Sequence, residues 1–446
     1  MKKLSYGEFM QVSIMLFGLF FGAGNLIFPP LLGNQAGNAM IIALLSFAIT
    51  AVVFPVLGTI AVSKTEGLDK LANRVGPTFS LVFTTAIYLS IGPGLGIPRA
   101  GSVPFEMAIA PFIPENINLV LARFLYTFVF FGLSLLISLK PKNLVKNVGK
   151  YLTPALLILL LVMFAKIIRI PAEIAQPIGD YKKSALAKGF LAGYETLDAV
   201  AALNFGFVIS FALRNLGIKD KKQVTSYTVK TGILAGLFLF IVYFMLSSIG
   251  MVTSNRFVGA ANGAEILIKS IKIVFGDFGV ILLAVIFTLA CLTTCVGLIT
   301  SGADYFHNLF NKNLSYGAWV MIWTGFSFLM ANFGLNNLLA LSVPLLTVIY
   351  PVSLVLIVMG VSHDLVKYPR ISYLLVASLS VILPIIDLLG SFNINIPLLT
   401  SLVESLPLAS QGLSWLIPSI IGLVVTTIGS KIFTMSYRLG FEKNNF

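Results

Sequence analysis

Glu195 and Asp198 lie three residues apart inside a long apolar stretch of the chain. A charge at the centre of a bilayer costs about 2.5–3.5 kcal/mol on insertion scales, so such groups face a cavity or a partner. The i, i+3 spacing sets both carboxylates on one helical face if the helix is intact there. Either could meet an ammonium group, hold a cation or take up a proton. Asp198 could equally cap a half-helix that starts there, and Glu195 could stand at the water boundary. A second constellation is Gly22-Ala23-Gly24-Asn25, again within an apolar run. Each glycine costs a helix interior about 1 kcal/mol relative to alanine. Backbone freed at membrane depth is tolerated only when it is buried in protein or lines a cavity. A break there would start an outer half-helix at about Asn25, whose amides and positive dipole end favour a carboxylate. Carbonyls released from the inner half, around Gly18 and Phe21, favour a small cation. The other reading of the glycines is close helix packing. Thr293 and Thr294, with a local carbonyl, could form an oxygen cage for Na+ or bond back to their own helix. Tyr88, just before the irregular Gly92–Arg99 run, could close over a ligand or pack in a bundle. His307 and His363 are remote from one another in sequence. No nucleophile–base set, metal spacing or phosphate loop stands out, which argues against an enzyme.

These residues need elements that hold them at membrane depth, and the composition supplies them. The chain of 446 residues is 57% hydrophobic and 11% charged, with a mean hydropathy of +0.96. A soluble domain carries about 25% charged residues. The net charge of +13 is spread over short segments between apolar runs. That is the pattern of topology determinants, not of a nucleic-acid-binding face. Cys291 and Cys295 stand four apart in one apolar run, where no disulfide or metal framework is expected. The run that follows Met1-Lys2-Lys3 is too long and too interrupted for a signal-peptide core, and is expected to be retained.

Twelve apolar segments can be drawn, near 9–33, 39–63, 78–100, 118–139, 149–169, 184–213, 226–251, 276–305, 315–333, 337–360, 370–389 and 412–435. The expectation is an all-α integral membrane protein with twelve transmembrane helices and no soluble domain or low-complexity linker. With Lys2 and Lys3 inside, twenty of the thirty Lys and Arg fall on the same side, which places both termini in the cytoplasm. Lys166 to Lys188 is the exception, with five basic residues outside. Segments 1 and 6 share a glycine-interrupted core with polar residues, the sixth running from Gly193 to Gly206. Five segments separate their starts, so the second copy enters the membrane from the opposite side. Interrupted helices at matching positions of two inverted halves point to a transporter's midplane site.

Four motifs carry a resemblance: GAGNLIFPP (22–30), IGPGLGIPR (91–99), GYETLDAVAA (193–202) and ACLTTCVGL (290–298). In this order and spacing they resemble the branched-chain amino acid:cation symporter family, across nearly the whole chain. The resemblance implies a 5+5 inverted-repeat (LeuT-like) core with discontinuous helices 1 and 6, plus two extra helices. The repeats would be 1–175 and 176–365, with the additional helices and a cytoplasmic tail in 366–446. It implies import of leucine, isoleucine and valine across the bacterial cytoplasmic membrane, with Na+ as coupling ion or H+ as the alternative. A non-transporting amino acid sensor is the reading from another class, and the lack of a large signalling domain argues against it. Neither nucleic acid nor an obligate protein partner is implied.

Position by position, the resemblance sets Ala23, Gly24 and Asn25 at the unwound first helix that receives a substrate carboxylate. Tyr194 and Thr196 match the break around the substrate, and Asp198 an acidic position of the family. Tyr88 joins the candidate substrate set through its place before the irregular Gly92–Arg99 run, not by the resemblance. Gly18 and Phe21, by their carbonyls, match one half of the superfamily's common sodium site. The Ala290 carbonyl and the Thr293 and Thr294 hydroxyls match the other half. Leu197 stands where the family often has methionine, a volume-conserving change. Glu195 inherits no role, and no asparagine in the seventh segment completes a second sodium site, so one cation is expected.

Overall fold

Ser5 starts the first helix with a reciprocal cap. Its hydroxyl accepts the Glu8 amide at 3.2 Å, while the Glu8 carboxylate accepts the Ser5 amide at 2.8 Å. From there the computed structural model is helical, with no strand among the described residues, which are 3–110, 113–114, 116–140, 150–392, 394 and 396–443. Lys2 and nearly all of the basic stretch Lys140–Lys150 lie outside them. The helices are α1 (Tyr6–Phe20), α2 (Ala23–Ala36), α3 (Met40–Ala48), α4 (Phe54–Thr65), α5 (Leu68–Ala72) and α6 (Pro77–Leu89). Then come α7 (Gly96–Ala108), α8 (Leu119–Ser138), α9 (Thr153–Ile167), α10 (Asp180–Ala192), α11 (Asp198–Asn215) and α12 (Lys221–Val252). The series closes with α13 (Gly263–Leu309), α14 (Tyr316–Ala331), α15 (Leu335–Val366), α16 (Arg370–Ser391), α17 (Pro397–Glu404) and α18 (Leu416–Lys443).

Among the described residues, eight helical stretches are long and apolar enough to cross a membrane, or nine if the bent pair around α10 and α11 is one span. Their outward faces are apolar too, as Phe128, Val129 and Leu136 on α8 illustrate. Water would not favour such a face, and lipid does. The chain is a multi-pass membrane protein. The eighth segment, expected to begin near 276, carries an additional arm: α13 starts at Gly263 and is interrupted at Gly276. The φ of 60° there suits glycine, which lacks the Cβ that crowds this region for other residues.

Two compact units divide the chain, and the first comprises residues 1–63 and 86–343. Its main seams join α2 to α12, α7 to α13, α3 to α10 and α2 to α13. Small residues let these backbones touch. A Cβ on Gly33 would run into the Ser247 carbonyl, and one on Gly250 into the Pro30 carbonyl. Without a hydrophobic drive between helices in lipid, such close packing supplies much of the association energy. The second unit comprises 64–85 and 344–446. There α16 packs along α18, with the Thr426 hydroxyl donating to Ser372 Oγ at 2.7 Å. Arg74 Nη1 donates to the Tyr373 hydroxyl at 2.8 Å, and Lys64 pairs with Asp364 at 2.9 Å.

Candidate functional site

α1 stops at Phe20 and α2 begins at Ala23, so the first helix is interrupted over Phe21 and Gly22. The outer half was expected to start at about Asn25 and instead starts two residues earlier. Asn25 explains the difference, because it lies inside the first turn and folds back. Its Oδ1 accepts the Gly22 amide at 2.9 Å, which satisfies a donor that the break would otherwise leave free. Both glycines are fixed by close approach. A Cβ on Gly22 would come within 2.9 Å of Thr294 Oγ1, and one on Gly24 within 2.6 Å of Arg99 Nη2.

The sixth segment breaks in a different way. α10 passes into a single 3-10 turn, Gly193–Thr196, and Leu197 then takes a left-handed conformation at φ 69° before α11 starts at Asp198. The two arms bend by 43°. A non-glycine residue held there costs about 1–2 kcal/mol, and such strain gathers at functional sites. Thr196 Oγ1 donates to the Gly193 carbonyl at 2.9 Å, which closes the turn.

Asp198 does not spend its carboxylate on capping its own helix. It accepts the Tyr243 hydroxyl at 2.7 Å and Asn25 Nδ2 at 2.5 Å, and Asn25 Nδ2 also donates to Tyr243. All three side chains are buried. This triangle ties the second half of the first helix to α11 and α12. Arg99 approaches from the third helix, whose π-helical turn Ser90–Gly94 interrupts the path between α6 and α7. Arg99 is 5% exposed, and its Nη2 donates to the Glu195 carbonyl at 3.0 Å.

A cavity of about 30 Å³ lies where these breaks converge. Phe20, Gly22, Ala23, Gly24 and Asn25 form one wall, and Thr196, Leu197, Asp198 and Ala201 another. Ile91, Gly96, Arg99 and Ala100 from the third helix and Thr294 and Leu298 from α13 complete it. Beside it is a set of uncharged oxygens. Thr293 Oγ1 lies 2.6 Å from the Gly18 carbonyl and 2.8 Å from the Ala290 carbonyl, and Thr294 Oγ1 lies 3.5 Å from Gly18 O. The Thr293 hydroxyl hydrogen is shared between the Gly18 and Ala290 carbonyls, so three oxygens crowd around a single hydrogen. Neutral carbonyls and hydroxyls suit a hard monovalent cation. No group of three His, Cys, Asp or Glu that could hold a metal ion occurs among the described residues.

The structure brings together Ala23, Gly24, Asn25, Thr196 and Asp198 as cavity lining, and Gly18, Ala290, Thr293 and Thr294 as the oxygen set. Phe21 sits at the break, one residue from the Gly22–Thr294 contact. Tyr88 and Tyr194 are not among the lining residues. Tyr88 stacks on Tyr305 with ring centroids 4.2 Å apart, and Tyr194 packs against Phe190 at 5.6 Å. Cys291 and Cys295 are free and buried on either side of the threonine pair. Sequence reasoning missed Tyr243 and gave Arg99 no role. For Arg99 a signal was present, since an arginine at membrane depth points to function.

Two interrupted helices that line one buried cavity, with a set of uncharged oxygens beside it, are the arrangement expected of a solute transporter. The chain matches the family model "Branched-chain amino acid transport protein" over residues 5–433, and it belongs to that family. It is 39% identical to the branched-chain amino acid permease BrnQ of Bacillus subtilis (strain 168), over 94% of this chain and 96% of that one. With BrnQ of Escherichia coli (strain K12) the identity is 36%, over 94% and 95%. With the branched-chain amino acid transport system 2 carrier protein of Pseudomonas aeruginosa it is 38%, over 95% and 96%. The protein is thus a transporter and not an enzyme. Among solved structures, the fold resembles the nucleobase-cation-symport-1 family transporter Mhp1 (TM-score 0.60, 13% identity, 96% of this chain and 93% of that one). It also resembles a Na+-coupled sialic acid symporter (TM-score 0.55, 13% identity, 95% and 89%).

Proposed function

We propose that the protein is a secondary active symporter that imports leucine, isoleucine and valine together with Na+ by alternating access. In this reading twelve spans cross the bacterial cytoplasmic membrane, with both termini inside. Residues 1–175 and 176–365 form two inverted five-helix repeats, and 366–446 add two helices. The observation that carries the reading is the oxygen set of Gly18, Ala290, Thr293 and Thr294, which shares Thr294 with the cavity between the broken helices. Na+ would turn the Thr293 proton outward, take the freed lone pairs with the Phe21 carbonyl, and order the junction of α1 and α2. A cation that tightens amino acid binding must itself be tightened by the amino acid to the same factor. The substrate carboxylate rests near the first amides of α2 at Ala23, Gly24 and Asn25. Leucine, isoleucine and valine differ by a methylene or a branch, each worth about 1–3 kcal/mol, so discrimination among them is modest. A cavity of about 30 Å³ is far below the several hundred Å³ of a typical ligand site, so helix movement accompanies substrate admission.

H+ coupling is the second reading, favoured by Asp198, a carboxylate 2% exposed at the start of α11. Uptake of labelled leucine into proteoliposomes separates the two. With the pH gradient collapsed, an imposed Na+ gradient drives accumulation if Na+ is the coupling ion, and no stimulation by Na+ rejects it. Thr293→Ala then raises the Na+ concentration for half-maximal uptake by about 10–100-fold, because the ion loses one of its oxygen ligands. An unchanged Na+ dependence places the ion elsewhere.

A further inference from the structure

We propose that Arg99 receives the substrate's carboxylate, jointly with the first amides of α2, and thereby selects free amino acids over their amides and amines. This rests on the amino acid reading above and assigns a role to a residue outside the expected binding set. Arg99 lines the cavity from the first turn of α7, beside Gly24. Its Nη2 reaches so close to Gly24 that a Cβ there would come within 2.6 Å, so the glycine admits the guanidinium to the helix start. The guanidinium also lies over the Phe28 ring, 5.7 Å from the centroid.

The Glu195 carbonyl takes one hydrogen bond from Nη2. A guanidinium has five N–H donors in a fixed fork that matches a carboxylate in two parallel bonds. Asp198 lines the same cavity, held in place by Asn25 and Tyr243. The lining therefore carries one guanidinium and one carboxylate, the two charge types that an α-amino acid zwitterion presents. A carboxylate set between Arg99 and the start of α2 meets charge and helix dipole together. Removing its charge, as in an amide, leaves both donors facing a weaker acceptor. Lysine would keep the charge and lose the fork.

The test compares leucine, leucinamide and 3-methylbutylamine as competitors of labelled leucine uptake, and as ligands that raise the melting temperature of the purified transporter. The second readout needs no turnover. In the unaltered protein leucine outcompetes leucinamide by about 100-fold, as expected when a buried charge pair loses one partner. In Arg99→Gln leucine weakens by about 100-fold, leucinamide changes by less than about 3-fold, and the preference collapses. Arg99→Lys keeps an intermediate preference, about 10-fold. A preference unchanged in Arg99→Gln, or all three ligands weakened in parallel, overturns the assignment and makes Arg99 a brace for the sixth-helix break. Should Arg99→Gln not fold, Arg99→Lys decides by the same ratio. Failure of the unaltered protein to bind leucine defeats the amino acid reading itself, whereas leucine binding with an unchanged ratio defeats only the role of Arg99.

Discussion

At the scale of single residues, the triangle of Asn25, Asp198 and Tyr243 concentrates the energetics of the site. A buried carboxylate that loses a hydroxyl donor costs about 1–3 kcal/mol. Tyr243→Phe is therefore expected to lower the melting temperature in detergent. The double variant with Asp198→Asn should fall short of the sum of its parts, with a coupling of about 0.5–3 kcal/mol. Additive effects would show that the three groups do not act as a unit. The sequence made Asn25 and Asp198 conspicuous, because polar groups beside glycines in apolar runs are local signals. Tyr243 was not legible. It sits in the run from Leu239 to Leu246, where a tyrosine among aromatics reads as packing, and its partners lie 45 and 218 residues away.

At the scale of elements, the breaks were legible and their register was not. A glycine pair in the first helix and Gly193 beside polar residues in the sixth marked where they fail, but a side chain folding back onto its own break, as Asn25 does, moves the restart by two residues. Leu197 is a clearer limit. Nothing in a leucine announces φ 69°, since the conformation is imposed by what surrounds it. The glycines of the α2–α12 seam give an element-level prediction. Gly33→Ala forces a Cβ into the Ser247 carbonyl and should destabilise the fold by about 1–3 kcal/mol. Gly132 on α8 has open space at that position, so Gly132→Ala should be neutral or stabilise by up to about 1 kcal/mol. Thermal unfolding of the two variants, measured side by side, checks the contrast; equal melting temperatures would remove close approach as the reason for Gly33.

For the whole molecule, hydropathy revealed a helical membrane protein and four separated motifs revealed its family. Neither revealed how the oxygen cage and the cavity meet, because that depends on α13 crossing both halves of the broken first helix. They meet at one side chain. Thr294 lines the cavity, points its hydroxyl toward Gly18, and rests against Gly22 with both Oγ1 and Cγ2. In a Na+-driven carrier this shared wall sets how tightly two fluxes are geared. Thr294→Ser keeps the oxygen and removes a methyl worth about 0.8 kcal/mol of burial, which loosens the seal on Gly22 while leaving the cage its donor. The expected phenotype is slippage: the ratio of sodium flux to leucine flux rises, while half-saturation for Na+ changes little. Parallel tracer measurements on one batch of vesicles read that ratio directly, and a constant ratio would mean the gearing lies elsewhere.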